Sequence, residues 1–248
     1  MLLENRVAVI TGGARGIGGA AAITFAREGA KVVIGDLLAH EAEETLTTIR
    51  QTGGEAIFVR TDVTKSADCA ALMQTAVDRF GKLDVLLCSA GILRGAMLLA
   101  DQLDEATWDS VLAVNLKGDY LCAHHALPFL RQAKDAVVLL MASEGGVEVP
   151  SSSLAYGASK GGVHGFAMTL AMQLKPLGIR VHDIVPSAVA TPMKIENVAD
   201  RARAAGQDPE AAKAQAMGSL ADPFGIARIL AFLASPGADC VRATVFTR

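Results

Sequence analysis

The sequence predicts an α/β fold in which one doubly wound parallel sheet of about seven strands carries helices on both faces. Three observations predict it. Short runs rich in β-branched residues alternate with segments of helical period along all 248 residues. The runs are continuously apolar, with no inside/outside alternation, as expected of strands covered on both faces. A glycine cluster follows the first run and opens the first helical segment.

Strands are expected at Val7–Ile10, Lys31–Ile34, Ala56–Val59, Leu83–Leu87, Ala136–Leu140, Ile179–Val185 and Val241–Thr247. Helices are expected at 16–28, 40–52, 66–80, 105–131, 154–175 and 222–234. Ser66 precedes a helical pattern, Asp222-Pro223 offers a cap followed by a first-turn proline, and Gly29, Gly53-Gly54 and Gly178 sit just past helix ends. Met168 and Met172, with Leu170 and Leu174 nearby, read as core. One long insertion, 191–219, is polar and alanine-rich and is expected to be a mobile substrate lid. Its charges balance, with Lys194, Arg201, Arg203 and Lys213 against Glu196, Asp200, Asp208 and Glu210, so no strong anion steering is expected from it. At about 150 residues per domain the length suits a single domain over 1–248.

Apolar residues make up 51% and charged residues 20%, which supplies a sizeable core and excludes a disordered chain. The net charge is −3 with no run of like charge, so no nucleic-acid partner is indicated. The longest apolar stretch, Ala136–Ala142, is far below the roughly 18 residues of a membrane span, so no membrane partner is expected either. Strand-like sequence from about Arg6 leaves no room for a secretory signal, and a cytoplasmic location is expected. Cys69, Cys88, Cys122 and Cys240 lack ligand spacing and read as reduced, mostly buried thiols. The adjacent His124 and His125 point apart on a helix, and His40, His164 and His182 are isolated. No metal site is expected.

The first strand runs into Thr11-Gly12-Gly13-Ala14-Arg15-Gly16-Ile17-Gly18. A dinucleotide's pyrophosphate binds where backbone N–H groups converge at a helix N-terminus, and side chains there would hold it away. Asp36 ends the second strand, 18 residues past Gly18, close to the spacing of an acid that accepts hydrogen bonds from the adenosine ribose. A carboxylate there repels a 2′-phosphate and Leu37 offers no cation, which favours NAD over NADP. Arg15 pulls the other way, because a guanidinium in the turn pairs well with that phosphate.

Tyr156 and Lys160 are four apart in a helical segment and share a face. A free phenol ionises near pH 10 and is a poor base at neutral pH, whereas a neighbouring ammonium stabilises phenolate. Gly157, Gly161 and Gly162 each cost a helix up to about 1 kcal/mol, which makes sense if something approaches this backbone closely.

With the TGGARGIG turn, Asp36, Asn115, Ser143 and Tyr156-x-x-x-Lys160 in this order, the chain resembles the short-chain dehydrogenase/reductase family over nearly its whole length. The resemblance implies a Rossmann-type sheet. It selects Ser143, 13 residues before Tyr156, and passes over Ser151, Ser152 and Ser153, whose place before a helix suits capping. It also implies a catalytic Asn115 holding a water, adenine contacts from Asp62 and Val63, a cofactor strand end at Ser89, Ala90 and Gly91, and a nicotinamide-facing segment at Pro186, Val189 and Thr191. Cys88-Ser89-Ala90-Gly91 departs from the usual Asn-Asn-Ala-Gly, and Ser187 from a glycine.

The implied activity is hydride transfer between NAD(H) and a moderately apolar secondary alcohol or ketone. Tyr156 would manage the proton, Ser143 would bind the substrate oxygen, and Lys160 would act on both the phenol and the nicotinamide ribose. An NADP-dependent 3-oxoacyl thioester reductase and a dinucleotide-binding protein without turnover are the alternatives. A homodimer or homotetramer is expected through segments 105–131 and 154–175.

Overall fold

The computed structural model describes residues 1–247. In chain order its elements are β1 (Val7–Thr11), α1 (Gly16–Arg27), β2 (Lys31–Asp36), α2 (Ala39–Gln51), β3 (Glu55–Arg60), α3 (Ser66–Phe80), β4 (Val85–Cys88) and α4 (Glu105–Leu112). A π-helical turn (Ala113–Lys117) leads into α5 (Gly118–Leu130), followed by β5 (Val137–Met141), the single turn α6 (Glu144–Val147), α7 (Leu154–Leu174) and β6 (Arg180–Pro186). The chain continues through α8 (Pro192–Ala204), α9 (Pro209–Met217), α10 (Pro223–Ala234) and β7 (Val245–Thr247).

All seven strands are parallel in the order β3-β2-β1-β4-β5-β6-β7. Strand order reverses between β1 and β4, and such a switch opens a crevice at the carboxyl ends of the strands. Successive residues of each strand face opposite layers. Ala8, Ile10, Val85 and Leu87 join the layer under α1, α2 and α10, while Val7, Val9, Leu86 and Cys88 join the layer under α3, α5 and α7. Two buried faces are what continuous apolar runs require.

Several helix boundaries have local causes. Asp222 accepts from Phe224 N at 2.9 Å ahead of Pro223, and Gly29, Gly53 and Gly178 adopt positive φ behind their helices, as the sequence implies. Ser66 does not cap α3: it is the first helical residue, and its hydroxyl meets His125 Nε2 at 2.8 Å.

Three further expectations are corrected, and one segment gains helices. The stretch 105–131 is two α-helices joined by the π turn. The last strand covers only Val245–Thr247. The insertion 191–219, expected without helices, holds α8 and α9, whose first turns are capped by Thr191 and Asp208. Met168 and Met172 are 53% and 68% exposed, and only Leu170 and Leu174 of that group are core. Cys69, Cys88 and Cys122 are buried, with Cys122 Sγ 3.7 Å from Cys69 Sγ, whereas Cys240 is exposed.

Candidate active site

A cleft of about 570 Å³ lies at the carboxyl ends of the strands, where the sheet order switches. A second cavity, about 470 Å³, lies at the opposite edge around Arg6, Asp84 and Asp135 and contains none of the motif residues. The switch-point cleft is bordered by Gly12, Arg15, Gly16, Ile17, Gly18, Asp36, Leu37, Asp62, Val63, Ser89, Ala90, Gly91, Pro186, Val189 and Thr191, together with Ser143, Tyr156 and Lys160. Asn115 does not border it. It is fully buried behind Gly91.

The glycine turn is built for close backbone approach. A Cβ on Gly18 would lie 2.1 Å from the Gly12 carbonyl, and Gly12 itself has φ +65° with a Cβ position 2.6 Å from Ala90 N. Only glycine fits either place. Helices α4, α7, α8, α9 and α10 each have a side-chain cap, but α1 has neither a cap bond nor an acid in its first turn. Its leading N–H groups therefore meet the cleft without a side-chain acceptor, which fits a pyrophosphate. Thr191 closes this end, its methyl 3.6 Å from where a Gly16 Cβ would stand.

Asp36 accepts from Ala14 N at 3.0 Å through one oxygen, and from Leu37 N at 2.7 Å and Leu38 N at 3.1 Å through the other. An ionised carboxylate has about four acceptor sites, so one remains for a ligand hydroxyl. Arg15 faces Glu41 at 3.7 Å, which offsets its charge. Asp62 turns its carboxylate to Thr64, 2.7 Å to the hydroxyl and 3.0 Å to the N–H, and so caps the loop while bordering the cleft. The Thr64 hydroxyl is the main influence holding its pKa below the usual carboxylate value, despite some burial.

Tyr156 and Lys160 lie one turn apart near the start of α7. Ser153 caps that helix by accepting from Tyr156 N at 3.2 Å and also donates to the Arg94 carbonyl at 2.6 Å, whereas Ser151 and Ser152 border the cleft. Lys160 is 5% exposed; its ammonium donates to the Met141 carbonyl at the end of β5 and sits 5.8 Å from the centre of the Tyr156 ring. Two of the α7 glycines are explained by close contact. A Cβ on Gly161 would meet the Gly146 carbonyl at 2.9 Å, and one on Gly162 the Leu116 side chain at 2.8 Å.

Asn115 lies in the π turn, a distortion often found at functional sites. Its amide donates to the Ile92 carbonyl at 3.0 Å and to Ser159 Oγ at 2.9 Å, and its oxygen accepts from Ile92 N at 2.8 Å. Both amide hydrogens are committed to protein, so the side chain is a strut fixing the strand-end segment at Gly91-Ile92. With both N–H groups in use, a water held by this side chain would have to donate to the second lone pair of the Asn115 oxygen. Ser159, which the sequence reading missed, continues the strut by donating to the Tyr156 carbonyl at 2.8 Å. Asp119, one turn past Asn115, was also missed; burial pushes its carboxyl well above the usual value, with Lys160 pulling the other way. Its signal was an acid one helical turn beyond a motif residue, in an otherwise apolar segment.

Lys194, Asn197 and Arg201 border the cleft as well, and their i, i+3, i+7 spacing was the signal available for them. Among the described residues, no group of three His, Cys, Asp or Glu side chains is placed to hold a metal, and no helix is long and apolar enough to cross a membrane.

Comparison with known proteins agrees with this geometry. The family model described as short chain dehydrogenase matches residues 6–202. The chain is 39% identical over 238 residues to cis-4-hydroxycyclohexanecarboxylate dehydrogenase of Sinomonas cyclohexanicum, covering 96% of this chain and 92% of that one. It is 35% identical to 2,5-dichloro-2,5-cyclohexadiene-1,4-diol dehydrogenase of Sphingobium indicum, with the same coverage. The crystal structure of levodione reductase superposes with a TM-score of 0.90 at 28% identity, over 98% of this chain and 96% of that one. The family model spans most of the chain, and relatives of 39% and 35% identity cover nearly all of it: the protein belongs to the short-chain dehydrogenase/reductase family, oxidoreductases that use a nicotinamide dinucleotide.

Proposed function

We propose that the protein is an NAD-dependent dehydrogenase of ring-borne secondary alcohols, working reversibly between alcohol and ketone. The observation that carries this reading is the placement of Tyr156 and Ser143 on the wall of the cleft that also holds the bare N-terminus of α1. A bound nicotinamide dinucleotide supplies the hydride acceptor or donor. Tyr156 takes the hydroxyl proton in oxidation and returns it in reduction. The Lys160 ammonium favours negative charge on the phenol oxygen, and Ser143 donates a hydrogen bond to the substrate oxygen. Asn115 and Ser159 hold the Ile92 and Tyr156 backbones in register.

NAD is favoured over NADP because Asp36 occupies the ribose end, Leu37 adds no cation, and Arg15 is offset by Glu41. The ring-alcohol class is supported by two relatives that act on cyclohexane- or cyclohexadiene-derived alcohols and by apolar walls from Ile92, Leu93, Val149 and Met193. Helix α8, which brings Met193, Lys194, Asn197 and Arg201 to the wall, is the part of the insertion that would act as the lid over this end. Exposed Trp108, Tyr120, Leu154, Met168 and Met172 on α4, α5 and α7 supply the apolar face of a homodimer or homotetramer.

The test is the absorbance of reduced nicotinamide during incubation with ring alcohols and with each dinucleotide. NAD-linked turnover of cyclic secondary alcohols is expected. Preferential reduction of a 3-oxoacyl thioester with NADPH, or dinucleotide binding without turnover across a broad alcohol and ketone panel, would replace this reading.

A further inference from the structure

The charge balance of the insertion disappears once it is folded. Successive residues of a helix are turned by about 100°, so Glu196, Asp200 and Arg203 occupy one side of α8 and Lys194, Asn197 and Arg201 the opposite side. On the outer side Arg203 pairs with Glu196 at 3.1 Å and Asp200 at 2.6 Å. On α9, Lys213 pairs with Glu210 at 2.9 Å, and Asp208 uses its carboxylate to cap the helix. The two remaining cations, Lys194 and Arg201, border the cleft, and neither has an ion pair among the described residues. Asn197 between them is buried and donates to Ser152 Oγ at 3.4 Å, which fixes this face of α8 against the cleft wall.

The two cations also influence each other. Burial, and then the charge of Arg201, push the Lys194 amine below its ordinary value, while Glu144, next to Ser143, pulls it up less strongly. Lys194, half-buried, thus carries a positive charge that Glu144 only partly offsets, and Arg201, exposed on the next turns of the same side of α8, adds a second one without an ion pair. An anion bound there relieves the repulsion between them and the lost hydration of Lys194, and a guanidinium presents the forked donors that a carboxylate matches.

We propose that Lys194 and Arg201 form a carboxylate-binding site, so that the preferred substrate is a ring alcohol bearing a carboxylate group. This rests on the reading of the cleft as a ring-alcohol dehydrogenase site. The carboxylate lies against α8 while the hydroxyl lies toward Ser143 and Tyr156. The other anion within reach is the cofactor's pyrophosphate, because Lys194 is one turn from Thr191.

The experiment compares 4-hydroxycyclohexanecarboxylate with its neutral carboxamide as substrates of the full-length protein and of Lys194→Gln, Arg201→Gln and Lys194→Arg. The wild type is expected to favour the acid in kcat/KM by about tenfold or more, the scale of a charge-assisted hydrogen bond. That preference should collapse in both glutamine variants through the KM for the acid, and survive in Lys194→Arg. NADH affinity, read by fluorescence, should change less than threefold. Calorimetry with cyclohexanecarboxylate on the NADH complex reads the site without turnover. Equal use of acid and carboxamide by the wild type overturns the carboxylate site and leaves the ring-alcohol reading intact. NADH affinity falling in step with the acid preference overturns it in favour of the pyrophosphate. Absence of turnover with any ring alcohol, combined with cyclohexanecarboxylate binding that the glutamine variants lose, overturns the ring-alcohol reading and leaves the site standing.

Discussion

The Lys160 ammonium stands 5.8 Å from the centre of the Tyr156 ring while donating to the Met141 carbonyl. The second contact ties the cation to the end of β5, so its position relative to the phenol is set by the sheet and not by a free side chain. Buried at 5% exposure, it is little screened by solvent.

Tyr156→Phe removes the hydroxyl and keeps the ring. It is expected to bind NADH as the wild type does while kcat falls by about 10²–10⁴, the usual contribution of a positioned acid/base group. Fluorescence titration and steady-state rates check this; near-normal turnover would mean that another group moves the proton.

Asp36 joins cofactor choice to the stability of the glycine turn, because its carboxylate serves Ala14, Leu37 and Leu38 backbone N–H groups. Asp36→Ala combined with Leu37→Arg should raise the NADP-to-NAD ratio of kcat/KM more than tenfold. It should also cost about 1 kcal/mol or more of stability as the Ala14 N–H loses its acceptor. Denaturant titration reads the second effect, and an unchanged cofactor ratio would remove Asp36 from the ribose site.

Two glycines should respond oppositely to alanine. Gly18→Ala places a methyl 2.1 Å from the Gly12 carbonyl and should abolish dinucleotide binding or folding. Gly165 in α7 has nothing within 4 Å of its Cβ position, so Gly165→Ala should stabilise by about 0.5–1 kcal/mol, a rise in Tm of about 1–4 °C. Thermal melts separate them. A lower Tm for Gly165→Ala would point to a contact on that face.

His182 in β6 is 1% exposed, with Nδ1 3.3 Å from the Ala243 carbonyl and Nε2 without a partner among the described residues. Burial, aided by Arg180 and Arg242 and opposed by the Ala243 carbonyl and Asp183, pushes its pKa down. The folded state therefore binds the proton less readily than the unfolded chain. The stability this contributes is fully present above the unfolded value of about 6.5 and is lost as pH falls through the lower folded value. Denaturation at a pH on either side of that window should show a smaller acid-side loss for His182→Leu than for the wild type. Equal losses would assign the titration elsewhere, with His125 next, since burial and His124 lower it too.

Strand positions were readable because each run is apolar on both faces, and the cleft because its glycines, Asp36, Tyr156 and Lys160 sit at fixed places along that alternation. Three features were not readable. The methionines of α7 share its period with buried Leu170 and Leu174, and a period does not reveal which apolar residues a monomer leaves uncovered. Of the two helices in the insertion only α9 is weakly patterned; α8 has a clear apolar side and a Thr191 cap, but the polar, alanine-rich composition of the segment masked it. The role of Lys194 and Arg201 was hidden because charge was summed along the insertion, whereas the helix separates it by side. Asn115 is a fourth, subtler case: its place in the chain was evident, but its commitment to Ile92 and Ser159 depends on the π turn.

That π turn has a consequence for length variation in this part of the chain. Removing one residue from Ala113–Lys117 would let α4 and α5 run as one uninterrupted helix with conventional hydrogen bonding. Because a π turn absorbs one extra residue, the helix beyond it would keep its phase, but the residues within the turn would be displaced and Asn115 would lose its bonds to Ile92. The shortened protein would hold a more regular helix beside a strand end that has lost its strut, so the irregularity of this turn is what keeps Gly91-Ile92 in place at the cleft.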